Sequence, residues 1–544
     1  MSQIFFFFAF FNCKSILNSY DKENLFHSYL FMYLLTIGLE IHLKLNSQNK
    51  IFCACKNEQN FSVEANTNIC PVCTWQPWAL PRLSHEVVQK AIRFGNALRA
   101  TVNDESQFDR KNYFYPDLPM GFQITQFYHP IITNGEISFW INNYEKEVKV
   151  WITEAHLECD TAKMIHEDNK SYLDFNRAGT PLLEIVTAPD FHTAEEVVEF
   201  AKEIQRIAKW NNLGDADLEK GQMRIDVNIS VRKNESDPLG TKVEMKNINT
   251  FSAIKRCIEH ESQRQEEILE NGGEIAQETR RWNDLEGNSF SMRSKEDVVD
   301  YRYFPEPDMP ILKLDPQEKA EIMQESLDRP FDYIHKCKEY GFNKEFINAL
   351  LLDKQIFDFF FVMVQEGFEP KTVAKWMVGP MKRCLDYFQG DEIEVLKNIS
   401  EEARKTWANA EELIEKKLKF VKTCEGLADF FEKVRMNFEA FLQKEKGKSL
   451  IDNQLKLIFG EMLESGDSLE KIIKAKGFDA PAIDSSELET LAQQVLDENP
   501  KIVEQFKGGK ESVIGFFVGQ LMKKTQGKAN PQEANQIFMK LLKE

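Results

Sequence analysis

From Thr36 to Leu45 the chain reads TIGLEIHLKL, with Leu39, Ile41, Leu43 and Leu45 apolar and Glu40, His42 and Lys44 polar between them. A period of two predicts a half-buried strand, so Glu40 and His42 project from one face while the other is buried. MRIDVNISVR repeats the pattern, setting Ile225, Val227, Ile229 and Val231 against Arg224, Asp226, Asn228, Ser230 and Arg232. TKVEMKNIN separates Val243 and Met245 from Lys242, Glu244 and Lys246. In EVKVWITEAHLECD the parity of Val148, Val150 and Ile152 continues into Glu154, His156, Glu158 and Asp160, which puts all of them on one face if the strand is unbroken. FNRAGTPLLEIV places Asn176, Arg177 and Gly179 in a turn before an apolar run interrupted by Glu184. A carboxylate inside such a run is costly unless it is paired or bound to a metal.

The period then changes. Residues 33–316 alternate strand-like runs, turns and a few helices, including the amphipathic TAEEVVEFAKEIQRIAKW, and predict an α+β domain built on an antiparallel sheet with a polar cradle face. From Pro316 apolar residues recur at three and four, with breaks such as VGPM, which predicts an all-α helical domain over 317–465. The turn ESGDS, Glu464 to Ser468, opens a small helical tail module over 466–544. Residues 1–32 carry the apolar run IFFFFAFF without a preceding Lys or Arg, too short to span a bilayer. They are read as an N-terminal extension ahead of the domain, with Met32 as an alternative start, and not as an organelle or membrane address; a cytoplasmic chain without a membrane partner is expected.

Length and charge narrow the classes. A chain of 544 residues, 42% hydrophobic and 28% charged, folds as several domains and is no disordered tail. A net charge of -19 requires any nucleic-acid contact to come from a local basic patch. Lys507, Lys510, Lys523, Lys524 and Lys528 cluster in the tail among glycines; from residue type alone they are either a phosphate-binding patch or a solvated helix face. Of the ten cysteines, Cys53, Cys55, Cys70 and Cys73 form C-x-C and C-x-x-C pairs flanking a loop, the spacing of a tetrahedral zinc site over 52–74. Four sulfurs leave no open position, so such a zinc is structural.

Glu, Asp, His, Asn, Arg and Lys recurring strand after strand on one face suit a magnesium–nucleotide site, where hard oxygen ligands hold Mg²⁺ and cations meet phosphoryl charge. The chain has neither a Walker loop nor a kinase Gly-rich loop, so ATP would rest on sheet side chains. DRKNYFYPDLPMGFQITQ, rich in polar aromatics and turn formers, belongs to the same region.

The blocks IGLEIH, NTNICPVC, DRKNYFYPDLPMGFQ, FNRAGTPLLEIV, GTKVEMKNINTF, NGGEIAQETRRW and DYRYFPEPDMP closely resemble the B-subunit family of glutamyl/aspartyl-tRNA amidotransferases, over nearly everything after the extension. The resemblance implies a catalytic domain of the glutamine synthetase and guanidino kinase fold. It implies an activity in which Mg-ATP phosphorylates the side-chain carboxylate of Glu or Asp mischarged on tRNA-Gln or tRNA-Asn, and ammonia displaces the phosphate. By family position Glu40, His42, Glu158 and Glu184 would be catalytic, and His42, Glu158, Asp160 and Glu184 would hold magnesium; Arg177 joins the catalytic set on side-chain type and its place in the block. Asp226, Asn228, Arg224, Lys246 and Lys111 would contact the nucleotide, with Lys111 or Tyr113 near substrate or ammonia. An amidase A subunit would supply ammonia, a small C subunit would brace the pair, and the tail lysines would contact tRNA.

Three departures from the family pattern stand out. LECD puts Cys159 where a second acid is expected, which predicts a missing metal ligand. CTWQPWALP carries Trp75 and Trp78 where glycines are usual, and DTAK replaces DAGK. They leave a non-catalytic tRNA-binding scaffold as the alternative function, and a free-standing carboxylate kinase acting on amino acids as a third.

Overall fold

The computed structural model describes residues 33–57, 63–294, 300–325, 327, 329–378, 424, 427–446, 450, 452–478, 485–508, 513–525, 529 and 531–543. The extension 1–32 and most of the VGPM break lie outside the described residues. Two compact units divide the chain, Met1–Lys344 and Glu345–Glu544.

The strands of the first unit are β1 (Leu34–Lys44), β2 (Thr101–Val102), β3 (Glu105–Ser106), β4 (Asp109–Asn112), β5 (Phe122–Thr125), β6 (Ile132–Ile141), β7 (Lys146–Cys159) and β8 (Lys163–Glu167). They continue as β9 (Lys170–Asp174), β10 (Pro181–Thr187), β11 (Met223–Arg232), β12 (Val243–Ile248), β13 (Glu278–Asn283), β14 (Asn288–Ser294), β15 (Phe304–Pro305) and β16 (Leu312–Lys313). Among the described residues, nine of them form one sheet in the order β14-β13-β12-β11-β1-β10-β7-β6-β2, antiparallel except between β12 and β13. β4, β5 and β15 make a small second sheet.

One face of the large sheet is the core. Ile37, Leu39, Ile41 and Leu43 of β1, Leu183 and Ile185 of β10, and Ile225, Val227 and Ile229 of β11 are buried there. Helices α1 (His85–Ala97), α2 (Ala194–Trp210) and α3 (Phe251–Glu270) pack on the sheet. The amphipathic segment expected to be helical is α2; Thr193 caps it by accepting from the Glu196 amide, whose side chain reaches back in turn. Register then aligns the polar positions: Glu40 lies opposite Val186 and Asp226, and His42 opposite Glu184 and Arg224.

β7 departs from the expected alternation. Val150 and Ile152 are buried in the core, and so are Ala155 and Leu157, which have the opposite parity. The change occurs at Thr153, where the β10 register slips by one: Val186 pairs with Glu154 but Thr187 with Ile152. β6 switches parity alongside it at Asn134, which takes φ +55°. One extra residue flips every later side chain to the other face. Glu154, His156 and Glu158 therefore leave the face of Val150 and Ile152 and join that of Glu40 and His42.

Beyond the sheet, Pro316 opens α4 (Pro316–Gln324), capped by Asp315 accepting from the Glu318 amide, and α5 (Pro330–Glu339) follows. The second unit is helical among its described residues. In one part Phe359, Phe438, Phe441, Phe459 and Trp376 pack in an aromatic core. In another, helices Ser485–Glu498, Pro500–Lys507, Ile514–Lys524 and Pro531–Lys543 enclose a separate core around Phe517 and Phe538. No described helix is long and apolar enough to cross a membrane.

The two faces of β1 predict opposite responses to truncation. Ile41→Ala, fully buried, should cost about 2–5 kcal/mol in chemical denaturation. Its neighbour Glu40→Ala should cost less than about 1 kcal/mol. Equal losses at the two positions would contradict the face assignment.

Candidate active site

The registers of β7, β10, β1 and β11 place His156, Glu184, His42 and Arg224 in a single cross-strand row. Glu158 stands one pleat along β7. His42 Nε2 lies 3.4 Å from Glu158 Oε1 and 3.5 Å from Glu184 Oε2. His156 Nε2 lies 3.2 Å from the same Glu184 oxygen, with Nδ1 3.5 Å from Glu154 Oε1. Burial alone would push Glu184 up, but His156 and His42 outweigh it and hold the carboxyl well below its usual range. Burial dominates at Glu158 and raises it. His156 is itself pushed up to about 10, because Glu154 and Glu184 overcome the burial that opposes its charge. Two carboxyls with opposite displacements and two imidazoles thus form one compact ionisable group.

That group fits a divalent cation. Donor atoms of His42, Glu158 and Glu184 all lie within 4.8 Å of one another. Glu158 Oε2 is buried with no hydrogen-bond partner, an arrangement that leaves an oriented oxygen for an ion.

A second acidic cluster lies toward β11 and β12. Glu40, Asp226 and Glu244 bring ligand atoms within 4.8 Å of one another. Lys246 Nζ sits 2.5 Å from Asp226 and 2.9 Å from Glu244, and Thr279 Oγ1 donates to Glu244 at 2.7 Å. Burial opposes the Lys246 charge, yet the two carboxylates raise it above its ordinary value. Asn228 Nδ2 donates to Glu40 Oε1 at 3.0 Å, while its buried Oδ1 has no partner. Three carboxylates are the hard oxygen set that Mg²⁺ prefers. Glu40 and His42, read from the sequence as one site, belong to two adjoining clusters. Glu244, placed on the polar face but given no role, completes the second; its signal was its parity with Lys246.

Asp160, expected among the magnesium ligands, sits apart from the His42 cluster. It accepts from Arg224 at 3.1 Å and pairs with Arg177 at 3.6 Å. Burial would raise its carboxyl, but the two guanidinium groups hold it below the ordinary value. Arg177 also donates to the carbonyls of Thr161 and Ala162, so it shapes the turn after β7. Lys111 reaches toward Glu158 and Glu184, whose charges raise it against its burial, and its Nζ lies 5.1 Å from the Tyr301 ring centre. Tyr113 is raised, chiefly by burial.

The expectation of a missing ligand at Cys159 is corrected by the bulge at Thr153. Glu158 faces the cluster, so Cys159 faces the core, where it is 3% exposed and lines a small apolar pocket with Cys73, Trp75, Met120 and Gly179. Burial pushes its thiol up to about 12. Nor does Ala162 need to be glycine, since its backbone is not left-handed. The two tryptophans, by contrast, do occupy left-handed positions, Trp75 at φ +51° and Trp78 at φ +69°, where glycine carries no penalty. Trp75 packs edge-on against Phe122 at 5.5 Å, whereas Trp78 is fully exposed.

The sulfurs of Cys53, Cys55, Cys70 and Cys73 lie within 4.8 Å of one another, a donor set that fits zinc. Their loop is tied to the turn that carries Arg177. The Asn68 amide donates to Asn176 at 2.8 Å, Ile51 donates to Gly179 at 2.9 Å, and Lys50 Nζ reaches the carbonyls of Asn68 and Phe175. Of the tail lysines, Lys507, Lys523 and Lys524 are exposed at helix ends, with Lys524 paired to Glu498 at 2.5 Å. Lys510 and Lys528 lie outside the described residues.

Residues 35–320 match a family model described as the GatB/GatE catalytic domain, and residues 435–542 match one described as the GatB domain. The chain is 38% identical to the B subunit of the aspartyl/glutamyl-tRNA(Asn/Gln) amidotransferase of Thermoanaerobacter pseudethanolicus over 506 residues, 92% of this chain and 98% of that protein. It is 38% identical to the proteins of the same name from Caldicellulosiruptor bescii and Persephonella marina over 510 residues, 93% of this chain and 98% and 99% of theirs.

The orientation of Cys159 predicts how the family's acid would behave there. Cys159→Ala should leave Mn²⁺ affinity, measured by calorimetry, within about twofold, because the side chain does not face the cluster. Cys159→Glu should not tighten Mn²⁺ binding and should destabilise the fold by several kcal/mol, roughly the penalty for an unpaired buried charge. Tighter Mn²⁺ binding by Cys159→Glu would show that the position faces the metal.

Proposed function

The chain belongs to the GatB/GatE family of amidotransferase B subunits, and from that premise we propose that it is the ATP-dependent subunit of a tRNA-dependent amidotransferase. In this reading, ATP phosphorylates the side-chain carboxylate of Glu, or Asp, mischarged on tRNA-Gln or tRNA-Asn. A carboxylate oxygen attacks the γ-phosphorus and ADP leaves. Ammonia then adds at the acyl carbon and expels phosphate, giving the amide. Activation is needed because a carboxylate is a poor electrophile and an acyl phosphate carries a good leaving group.

The observation that carries this reading is the pair of acidic clusters sharing β1 on one polar sheet face. His42, Glu158 and Glu184 would hold one divalent cation, and Glu40, Asp226 and Glu244 a second. Bound magnesium would neutralise charge on the transferring phosphoryl group. Arg224 stands beside the first cluster to meet that charge directly. Lys246, now shared by Asp226 and Glu244, would turn to the ATP phosphates once those carboxylates hold a cation, and Asn228 would fix Glu40. Asp160 serves as the anchor of Arg177 and Arg224. The likeness of the cradle to the glutamine synthetase and guanidino kinase fold is part of the same proposal.

The four-cysteine loop would hold a structural zinc that keeps the Arg177 turn in place. An amidase A subunit would supply ammonia and a C subunit would brace the pair. The exposed tail lysines would contact tRNA phosphates, and the chain would act in the cytoplasm. Of the three departures behind the scaffold alternative, the one at Cys159 lies on a side chain turned to the core, and the ATP hydrolysis test below separates the two readings.

The test is ATP hydrolysis by the chain assembled with its A and C partners, with and without Glu-tRNA-Gln. Charged tRNA should stimulate turnover. Glu184→Gln and Glu40→Gln should lower the stimulated rate by about 100-fold or more while tRNA binding persists. Absence of stimulation in the wild-type complex would contradict the proposal. Metal analysis under reducing conditions should find about one zinc per chain, lost in Cys70→Ser.

A further inference from the structure

An aromatic surface at the edge of the site has no role in the chemistry above. The segments that flank β4, β5 and β15 present it. Phe127 lies parallel to Tyr303 at 4.0 Å, Tyr303 meets Tyr301 at 5.9 Å, and Tyr301 meets Tyr113 at 5.9 Å. Tyr128 packs edge-on against Phe127 at 5.0 Å, and both are about half exposed. Phe114, on the loop between β4 and β5, is 93% exposed. The exposed ring faces of Phe127, Tyr128 and Phe114 are unfavourable in water and call for an occupant.

Position identifies the occupant. Gln123 Nε2 donates to the Cys159 carbonyl, and the Leu157 amide donates to Gln126, so the ring-bearing segment is bonded to the end of β7 that carries Glu158. Tyr303 and Lys111 both lie within electrostatic reach of Glu158 and Glu184. The surface therefore borders the reacting centre. Across the sheet, the groups suited to ATP phosphates, Lys246 with Glu40, Asp226 and Glu244, lie on β1, β11 and β12, whereas the ring-bearing segment is bonded to β7, on the far side of β10 from β1. Phosphoryl transfer sets donor and acceptor on opposite sides of phosphorus. If ATP lies toward β12, the rings are on the acceptor side, and the acceptor arrives on the unpaired 3′ end of a tRNA. Aromatic faces with a cation alongside are how single-stranded nucleotides are held without sequence readout.

We propose that Phe127, Tyr128, Tyr303, Tyr301 and Tyr113, with Phe114 at the rim, form a stacking platform for the unpaired 3′-terminal nucleotides of the charged tRNA. The platform positions the aminoacyl group over Glu158 and Glu184. This rests on the amidotransferase reading, and its test separates the two. The assembled complex is titrated with tRNA-Gln, intact or trimmed of its three terminal nucleotides, and separately with a nonhydrolysable ATP analogue. Wild type should bind intact tRNA about tenfold or more tighter than trimmed tRNA. Phe127→Leu and Phe114→Ala should each shrink that difference without weakening trimmed tRNA or the ATP analogue, and Phe127→Trp should restore it, which rules out misfolding. No difference between intact and trimmed tRNA in wild type, equal weakening of both by Phe127→Leu, or weakening of the ATP analogue instead would each overturn the platform. Failure of the amidotransferase reading would register differently, as absent tRNA-stimulated ATP turnover with the binding difference intact.

Discussion

A carboxylate in the middle of an apolar strand is the constraint on which the rest of this site depends. Glu184 stands in PLLEIVT, near the centre of the large sheet, with its side chain only 12% exposed. Its charge is tolerable there because register sets an imidazole on each side, His42 on β1 and His156 on β7. Those imidazoles in turn need Glu158 and Glu154, and the bulge at Thr153 is what turns these acids toward them. The second cluster follows from the same strand: once His42 faces Glu184, Glu40 two residues earlier must face Asp226.

A second chain of contacts holds this arrangement from outside. The four-cysteine loop grips the turn from Asp174 to Gly179 through Asn66, Asn68, Lys50 and Ile51. That turn presents Arg177 to Asp160, and Asp160 receives Arg224, the cation in register with His42. In the proposed reading, a zinc in the loop would act on the chemistry only by fixing the place of Arg177, which explains how a closed sulfur site can matter to a reaction it does not touch.

Much of this is legible in the sequence because burial of one sheet face enforces a period of two. The polar face of β1, β11 and β12 can be read residue by residue, and α2 and the start at Pro316 follow from helical spacing and capping. The β7 end cannot. A bulge leaves no mark on composition, so a parity count that sets Glu158 and His156 on the face of Val150 breaks at Thr153; nor does the family's doubled acid say which of the two positions faces the cluster. Asp160 shows what the spacing does not state: its carboxylate pairs with Arg224 and Arg177, which strand register and the turn after β7 bring to it. Glu244 is visible as a polar-face residue, yet pairing across β11 and β12, which the sequence does not state, is what brings it to Glu40 and Asp226. The aromatic platform is legible only as a composition, since Tyr303 reaches Phe127 and Tyr128 from some 175 residues away and Tyr301 joins through Tyr303.

The central claim is that the substrate carboxylate is phosphorylated on this sheet. It is tested most directly with Glu-tRNA-Gln whose side-chain carboxylate oxygens are ¹⁸O, turned over by the assembled complex with ATP and glutamine, followed by mass analysis of the phosphate released. Transfer of one ¹⁸O into each phosphate is predicted, because the oxygen that attacks the γ-phosphorus leaves with it. Amide formation with unlabelled phosphate would contradict the account, since the carboxylate would then have been activated without ever bonding to phosphorus.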